Sequence, residues 1–268
     1  ASYYGVKVLN LYYGKLCEFG TDITQKERLA LFEILADGNI EVEFSDQIVN
    51  DLVKNIPLEH LSEENGKLVQ QAFRYTNGFR KKPVEGKLLL LSIGLVLDSV
   101  NNTDRLRDKL SQLTTLTQNN KANLTGLSGK TAESYLEWTL PTVCRFSRKA
   151  KDIHVFYRVF NMTEDIAKIF FDNCTKIYLK RSKEEKDFRI FAEFFRFVYR
   201  DGSPQNREDL GKALCRLNKN KMEELDDTIR DIYYEDKKLI RCWEEVKEIA
   251  ESTNPLLNNL SNLFRRRK

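Results

Sequence analysis

Apolar positions recur every three to four residues along most of this chain, and that period predicts helices. Thr24-Gln25-Lys26-Glu27 reads as a capping box ahead of Leu29, Phe32 and Leu35 or Ala36, with Gly38 closing the helix. Ser45-Asp46 opens a second, which stops before Pro57. Ser62-Glu63-Glu64 opens a third, through Leu68, Val69, Ala72 and Phe73 to Asn77-Gly78. Lys87 to Val100 is apolar on nearly every side, as the central helix of a lobe would be. Thr103-Asp104 caps the next, carrying Leu106, Leu110, Leu113 and Leu116. Thr117 to Lys130 is rich in Asn, Thr, Gly and Ser and reads as a linker.

Beyond it, Thr131 to Trp138 is helical, and Pro141 is expected to break or re-aim the chain. Short segments are expected over 141–147 and 152–160. Thr163-Glu164-Asp165 starts a helix with Ile166, Ile169 and Phe170. Ser182-Lys183-Glu184-Glu185 reads as a second capping box, opening a helix that bears Phe188, Phe191, Phe194, Phe195 and Val198. Asp201-Gly202-Ser203-Pro204 is a turn, followed by helices near 206–216, 219–233 and 236–251. Asn254-Pro255 restarts a short terminal one. Only the first twenty residues differ. Their aromatic, partly alternating pattern fits a hairpin or an extended arm.

The fold class is therefore all-α, in two helical lobes with short terminal arms and room for a small N-terminal β-hairpin. The divisions are an arm over 1–22, a lobe over 23–120, a linker over 121–130, a lobe over 131–253 and a basic arm over 254–268. Composition agrees: 12 Gly and 5 Pro are too few for the many turns of an all-β chain. The five cysteines are odd in number and widely spaced, which reads as reduced thiols. That points to the cytoplasm. The longest apolar run, Leu88 to Leu97, is about half of the ~20 residues a membrane span needs, so a soluble chain is expected.

Charge changes the picture more. Residues 1–70 carry net −6, residues 71–130 net +6 and residues 131–200 net +4. Residues 201–268 balance, but they end in Arg265, Arg266, Arg267 and Lys268. Such segregation gives one surface a field that a polyanion feels. Within the basic stretch, Arg74, Tyr75, Arg80, Lys81 and Lys82 flank Asn77-Gly78. Arg145, Arg148, Lys149 and Lys151 form a second group, and Arg158 follows Phe156 and Tyr157. Lys176, Tyr178, Lys180, Arg181, Lys183, Lys186 and Arg189 form a third. Cations beside aromatic rings suit single-stranded nucleic acid, the cations following phosphates and the rings accepting bases. A solvated helix face has the same composition, so only the repetition of such clusters favours nucleic acid.

Catalytic motifs compete poorly. Gly126 to Thr131 approaches a phosphate-cradling loop, but Leu124 stands where the first glycine belongs and no buried strand feeds it. Lys130, at a helix start, keeps a narrower role against a single phosphate. His154 with Cys144 or Cys174, and the carboxylates of Glu223, Glu224, Asp226 and Asp227, read better as packing and solvation. No enzyme activity, cofactor, metal or small-molecule substrate is expected.

The arm-like Tyr3–Phe19, the linker before Gly129-Lys130-Thr131, the Arg/Lys clusters and the terminal Phe264 to Lys268 carry a resemblance. In outline the chain resembles the nucleocapsid proteins of segmented negative-strand RNA viruses. The resemblance implies a viral structural protein that coats single-stranded RNA in a groove between lobes. It also implies homo-oligomers joined through the arms, here Tyr3, Tyr4, Leu9, Tyr12, Tyr13, Leu263 and Phe264. Two other classes use the same features. One is a matrix-type scaffold whose basic face meets anionic membrane, and the other is a helical adaptor whose acidic front binds a basic partner. The terminal Arg-Arg-Arg-Lys also fits a nuclear address.

Overall fold

The computed structural model describes residues 53–54, 56–74, 86–118 and 121–253. The expected N-terminal arm, the helices after Thr24 and Ser45, and the basic terminal arm lie outside them. Ten helices dominate the described residues. They are α1 (Glu63–Arg74), α2 (Gly86–Asp98), α3 (Thr103–Thr117), α4 (Gly129–Phe146) and α5 (Ala150–Val159), then α6 (Glu164–Glu185), α7 (Arg189–Asp201), α8 (Pro204–Leu214), α9 (Lys219–Tyr233) and α10 (Lys237–Thr253). Two strands of two residues each, β1 (Ala122–Asn123) and β2 (Phe160–Asn161), are the only extended elements described. The all-α expectation holds.

The described residues fall into two compact units. One holds those up to Ser99 with Thr115–Asn123, and the other holds Val100–Thr114 with everything from Leu124. In the first unit, α2 is apolar on all sides because it is surrounded: Leu88 to Leu91, Ile93 and Leu97 are all buried. It packs on α1, whose inner face is Leu68, Val69 and Ala72. Ser62 caps α1 by accepting the Asn65 N–H at 3.1 Å. Most of α3 belongs to the second unit, with its last residues from Thr115 in the first. Its cap is Asn102, one residue before the expected Thr103, accepting the Arg105 N–H at 2.8 Å.

The second unit is built on α7. Phe191, Phe194, Phe195 and Phe197 are all buried in it, and α5, α6 and α9 pack around it. Rings interlock across these helices. Tyr178 of α6 stacks on Phe194 at 4.7 Å, and Phe195 meets Trp243 of α10 edge-on at 5.2 Å.

Two expected boundaries move. Pro141 does not break the chain, because α4 runs unbroken through it. Pro141 and Glu137 both face solvent, so the hydrogen bond that the proline cannot make is lost on the exposed side of the helix. The buried face of Leu136, Leu140, Val143 and Cys144 continues past it against α6. Ser182 opens no helix either. It lies fully buried inside α6, which ends only where Lys186 turns left-handed at φ 51. The Ser182 carbonyl then accepts both the Lys186 and the Asp187 N–H, closing the helix end. The expected turn at 201–204 is present, with Ser203 capping α8 over Pro204.

Helix α8 lies against α6 on one side and α10 on the other. Its Gly211 lets α10 come close. A Cβ there would sit 2.8 Å from Ile249 Cβ and 2.8 Å from the Val246 carbonyl oxygen.

Candidate nucleic-acid interface

Helix α6 is 22 residues long, and its exposed stripe carries Lys176, Lys180 and Lys183 at steps of four and three, one above another on a single face. Opposite them, α8 brings Lys212, and the turn after it brings Arg216. These five cations rim a groove of about 640 Å³. Its apolar lining is aliphatic, Leu179 and Ala213. Three carboxylates, Asp172, Glu184 and Asp209, share the lining, which leaves a net excess of two cations.

The carboxylates are not equal. Glu184 is exposed and lies 3.8 Å from Lys180. Asp209 is largely buried: its Oδ1 accepts Gln205 Nε2 at 3.1 Å, and its Oδ2 lies 3.8 Å from Lys168 without a hydrogen bond. Partial burial raises the Asp172 carboxyl above its ordinary range, and the neighbouring Asp209 charge adds to the rise against Lys168 and Lys176. The groove therefore holds a carboxyl that gives up its proton reluctantly beneath a rim of lysines.

Of the residues anticipated from sequence, Lys176, Lys180 and Lys183 meet in this groove. Lys212 and Arg216 were not anticipated. They share a four-residue step, and neither belongs to a dense basic run. Arg145 is exposed and lies over the Phe146 ring at 5.4 Å. Lys149 and Arg158 are exposed at the two ends of α5, Lys186 at the end of α6, and Lys130 in the first turn of α4. Arg189 is exposed but held by Asp187 at 2.9 Å, an arrangement that also pulls the Asp187 carboxyl down. Arg148 pairs with Glu185 at 3.1 Å. Arg74 ends α1, in the other unit. Tyr75, Arg80, Lys81 and Lys82 lie outside the described residues, as do Tyr3, Tyr4, Leu9, Tyr12, Tyr13, Leu263 and Phe264.

Arg181 is the correction. It is 6% exposed and serves the fold. Its Nη1 donates to the carbonyls of Cys144 and Ser147 at 2.5 and 2.9 Å, and its Nε donates to Glu185 at 2.7 Å. Those carbonyls close the end of α4, so the guanidinium is a helix clasp with no face left for a phosphate. The neighbouring aromatics are also internal. Phe156 and Tyr178 are buried, and half-buried Tyr157 packs on Phe170, Phe171 and Phe197. They form the core of the unit instead of a platform for bases.

The other candidate chemistry resolves into structure. His154 Nδ1 lies 2.9 Å from Asp201 Oδ2. Cys144 and Cys174 face each other at 3.9 Å between α4 and α6, both buried, and burial with its partner thiol drives Cys174 far above the ordinary thiol range. Asp226 is tied to Trp243 Nε1 at 2.8 Å, to Arg230 at 2.9 Å and to Lys247 at 2.5 Å. Among the described residues no three His, Cys, Asp or Glu side chains gather to hold a metal ion. Among them, too, no helix is long and apolar enough to cross a membrane. Comparison of the chain with known protein families, with curated proteins and with solved structures finds no match.

Proposed function

We infer that this protein binds single-stranded RNA without sequence preference, by contact with phosphates and without catalysis. The observation that supports this most is the pair of facing cation rows, Lys176, Lys180 and Lys183 on α6 with Lys212 and Arg216 after it. Successive lysines on α6 stand about 4.5–6 Å apart along the helix axis. Mobile ammonium groups at that interval follow a flexible phosphate chain without demanding one geometry. The aliphatic groove wall gives a base an apolar surface but no hydrogen-bond code, which fits a sequence-independent mode.

The test is fluorescence anisotropy with labelled single-stranded RNAs of unrelated sequence, titrated from low to high salt. Similar affinities for all sequences are expected, with log affinity falling steeply against log salt. The combined variant Lys176→Glu, Lys180→Glu, Lys183→Glu should flatten that slope by about 2, at roughly 0.7 for each phosphate no longer neutralised. Equal affinity and slope in variant and parent would remove the groove from the reading. Binding to phosphatidylserine vesicles in place of RNA would turn it toward the membrane scaffold.

A further inference from the structure

The α9–α10 hairpin presents the opposite charge. Residues 219–253 hold eleven carboxylates against seven cations, a net −4. Glu224, Asp227 and Asp231 lie along the exposed face of α9, while Glu244, Glu248 and Glu251 lie along an exposed face of α10 at steps of four and three. The cations between them are engaged. Arg230 bonds Asp226 and Glu244, and Lys247 bonds Asp226. Asp227 and Asp231 have no cation partner among the described residues. At the tip of the same hairpin stand Ile232 and Tyr234, 38% and 72% exposed, the two exposed large hydrophobic side chains among the described residues.

We propose that this acidic surface is the docking site for the chain's own C-terminal segment, residues 254–268. That segment carries four cations, Arg265 to Lys268, and no carboxylate side chain, a net +4 against the hairpin's −4. Leu263 and Phe264 directly precede the cations, so an apolar pair arrives beside the charges that would bring it to Ile232 and Tyr234.

The reach is sufficient. The pairs Asp226–Lys247 and Arg230–Glu244 run in opposite order along the two helices, so α9 and α10 are antiparallel. Thr253 at the end of α10 therefore lies level with the start of α9. From there Asp231 is about 17 Å along the helix axis at 1.5 Å per residue. The twelve residues from Thr253 to Arg265 span up to about 40 Å when extended. The tail thus reaches Asp227, Asp231 and the Tyr234 tip with slack. Docking on the chain's own surface spares the translational entropy that a second molecule loses.

The test is zero-length coupling of amines to carboxylates with a carbodiimide on the full chain at low salt, without RNA, so that it stands apart from the RNA reading. It is read by peptide mass spectrometry on a mixture of ¹⁵N-labelled and unlabelled protein. Lys268 is the one side-chain amine of the segment. Coupling of Lys268 to Asp227, Asp231 or Glu235 within single chains is expected. Lys168–Asp209, 3.8 Å apart across α6 and α8, serves as the internal control. Replacing Arg265, Arg266 and Arg267 by Ala, which leaves the Lys268 amine in place, should cut the yield at least fivefold. The proposal is overturned if Lys268 couples chiefly to carboxylates elsewhere, if the links join labelled to unlabelled chains, if no Lys268 link forms while the control does, or if the triple Ala variant couples at full yield.

Discussion

Helices α6 and α8 gather an excess of cations around a groove, while α9 and α10 carry an excess of carboxylates. Both pairs sit on the same aromatic core, and both look like ordinary charged helices when charges are only counted. The difference lies in which sign is in excess on each face. On α9–α10, Arg230 and Lys247 are held by Asp226 and Glu244, which leaves acid at the surface. Around the groove the cations are in excess, although Lys180 lies 3.8 Å from Glu184 and Lys212 pairs with Glu208 at 2.5 Å. The groove's least solvated charges, Asp172 and Asp209, are carboxylates, and the lysines reach past them. A surface potential is thus set by which charges the fold gathers on one face, beyond the balance of the whole chain.

The largest effect should come from the basic residue that belongs to neither surface. Arg181→Ala strands the carbonyls of Cys144 and Ser147 and uncouples Glu185, and it should cost about 3–5 kcal/mol in a urea melt. A loss under about 0.5 kcal/mol, as for an exposed side chain, would place Arg181 back among the surface cations. Next, Asp226→Asn should cost on the order of 2 kcal/mol at neutral pH, because Trp243, Arg230 and Lys247 converge on its carboxylate. Burial opposes the charge, but Lys247 and Trp243 outweigh it and hold the Asp226 carboxyl below its ordinary value. Its contribution is therefore present above the unfolded pKa and lost as pH falls through the folded one, so parent and variant melts should converge in acid.

A smaller effect separates the surfaces directly. Asp227→Asn with Asp231→Asn should leave the melt within about 0.5 kcal/mol, since neither side chain has a cation partner among the described residues. The same pair should tighten RNA binding a few-fold by lightening the opposing field, and unchanged affinity would mean that the two surfaces do not sense each other. Smallest is the pH response of the groove. The Asp172 carboxyl is raised, so it takes up a proton at higher pH than an ordinary aspartate would, which adds one net positive charge to the rim. RNA affinity should rise as pH falls through that value, and Asp172→Asn should abolish the rise. The same raised pKa means that Asp172 favours the fold more once protonated, so its effect on stability also grows toward acid.

Much of the helical order was legible because it rests on local rules. Ser62 and Thr163 sit where helix starts were expected, and both cap. The misses share one cause, which is tertiary packing acting on a local signal. Ser182-Lys183-Glu184-Glu185 has the spacing of a cap, but Tyr178, Arg181 and Ser182 are buried as one continuing face, and the helix goes on. Pro141 looks like a stop, yet its side of α4 faces water and the other side is held by α6. For the groove, three of five rim cations were legible because they crowd one segment, while Lys212 and Arg216 arrive from a helix that nothing in the sequence places opposite. Arg181 could not be told from its neighbours, since burial is decided by the far side of the fold.

Gly211 gives the arrangement a mechanical reading. The absence of a single methyl group fixes how deeply α8 nests against α10, and α8 is also one wall of the groove. Any side chain at position 211 acts as a spacer, tilting that wall toward or away from α6 without touching a charge. One position of almost no chemical character thereby becomes the gauge of the groove, and widening it by one carbon is the most economical way to ask whether the distance between the cation rows, rather than their number, is what a bound strand measures.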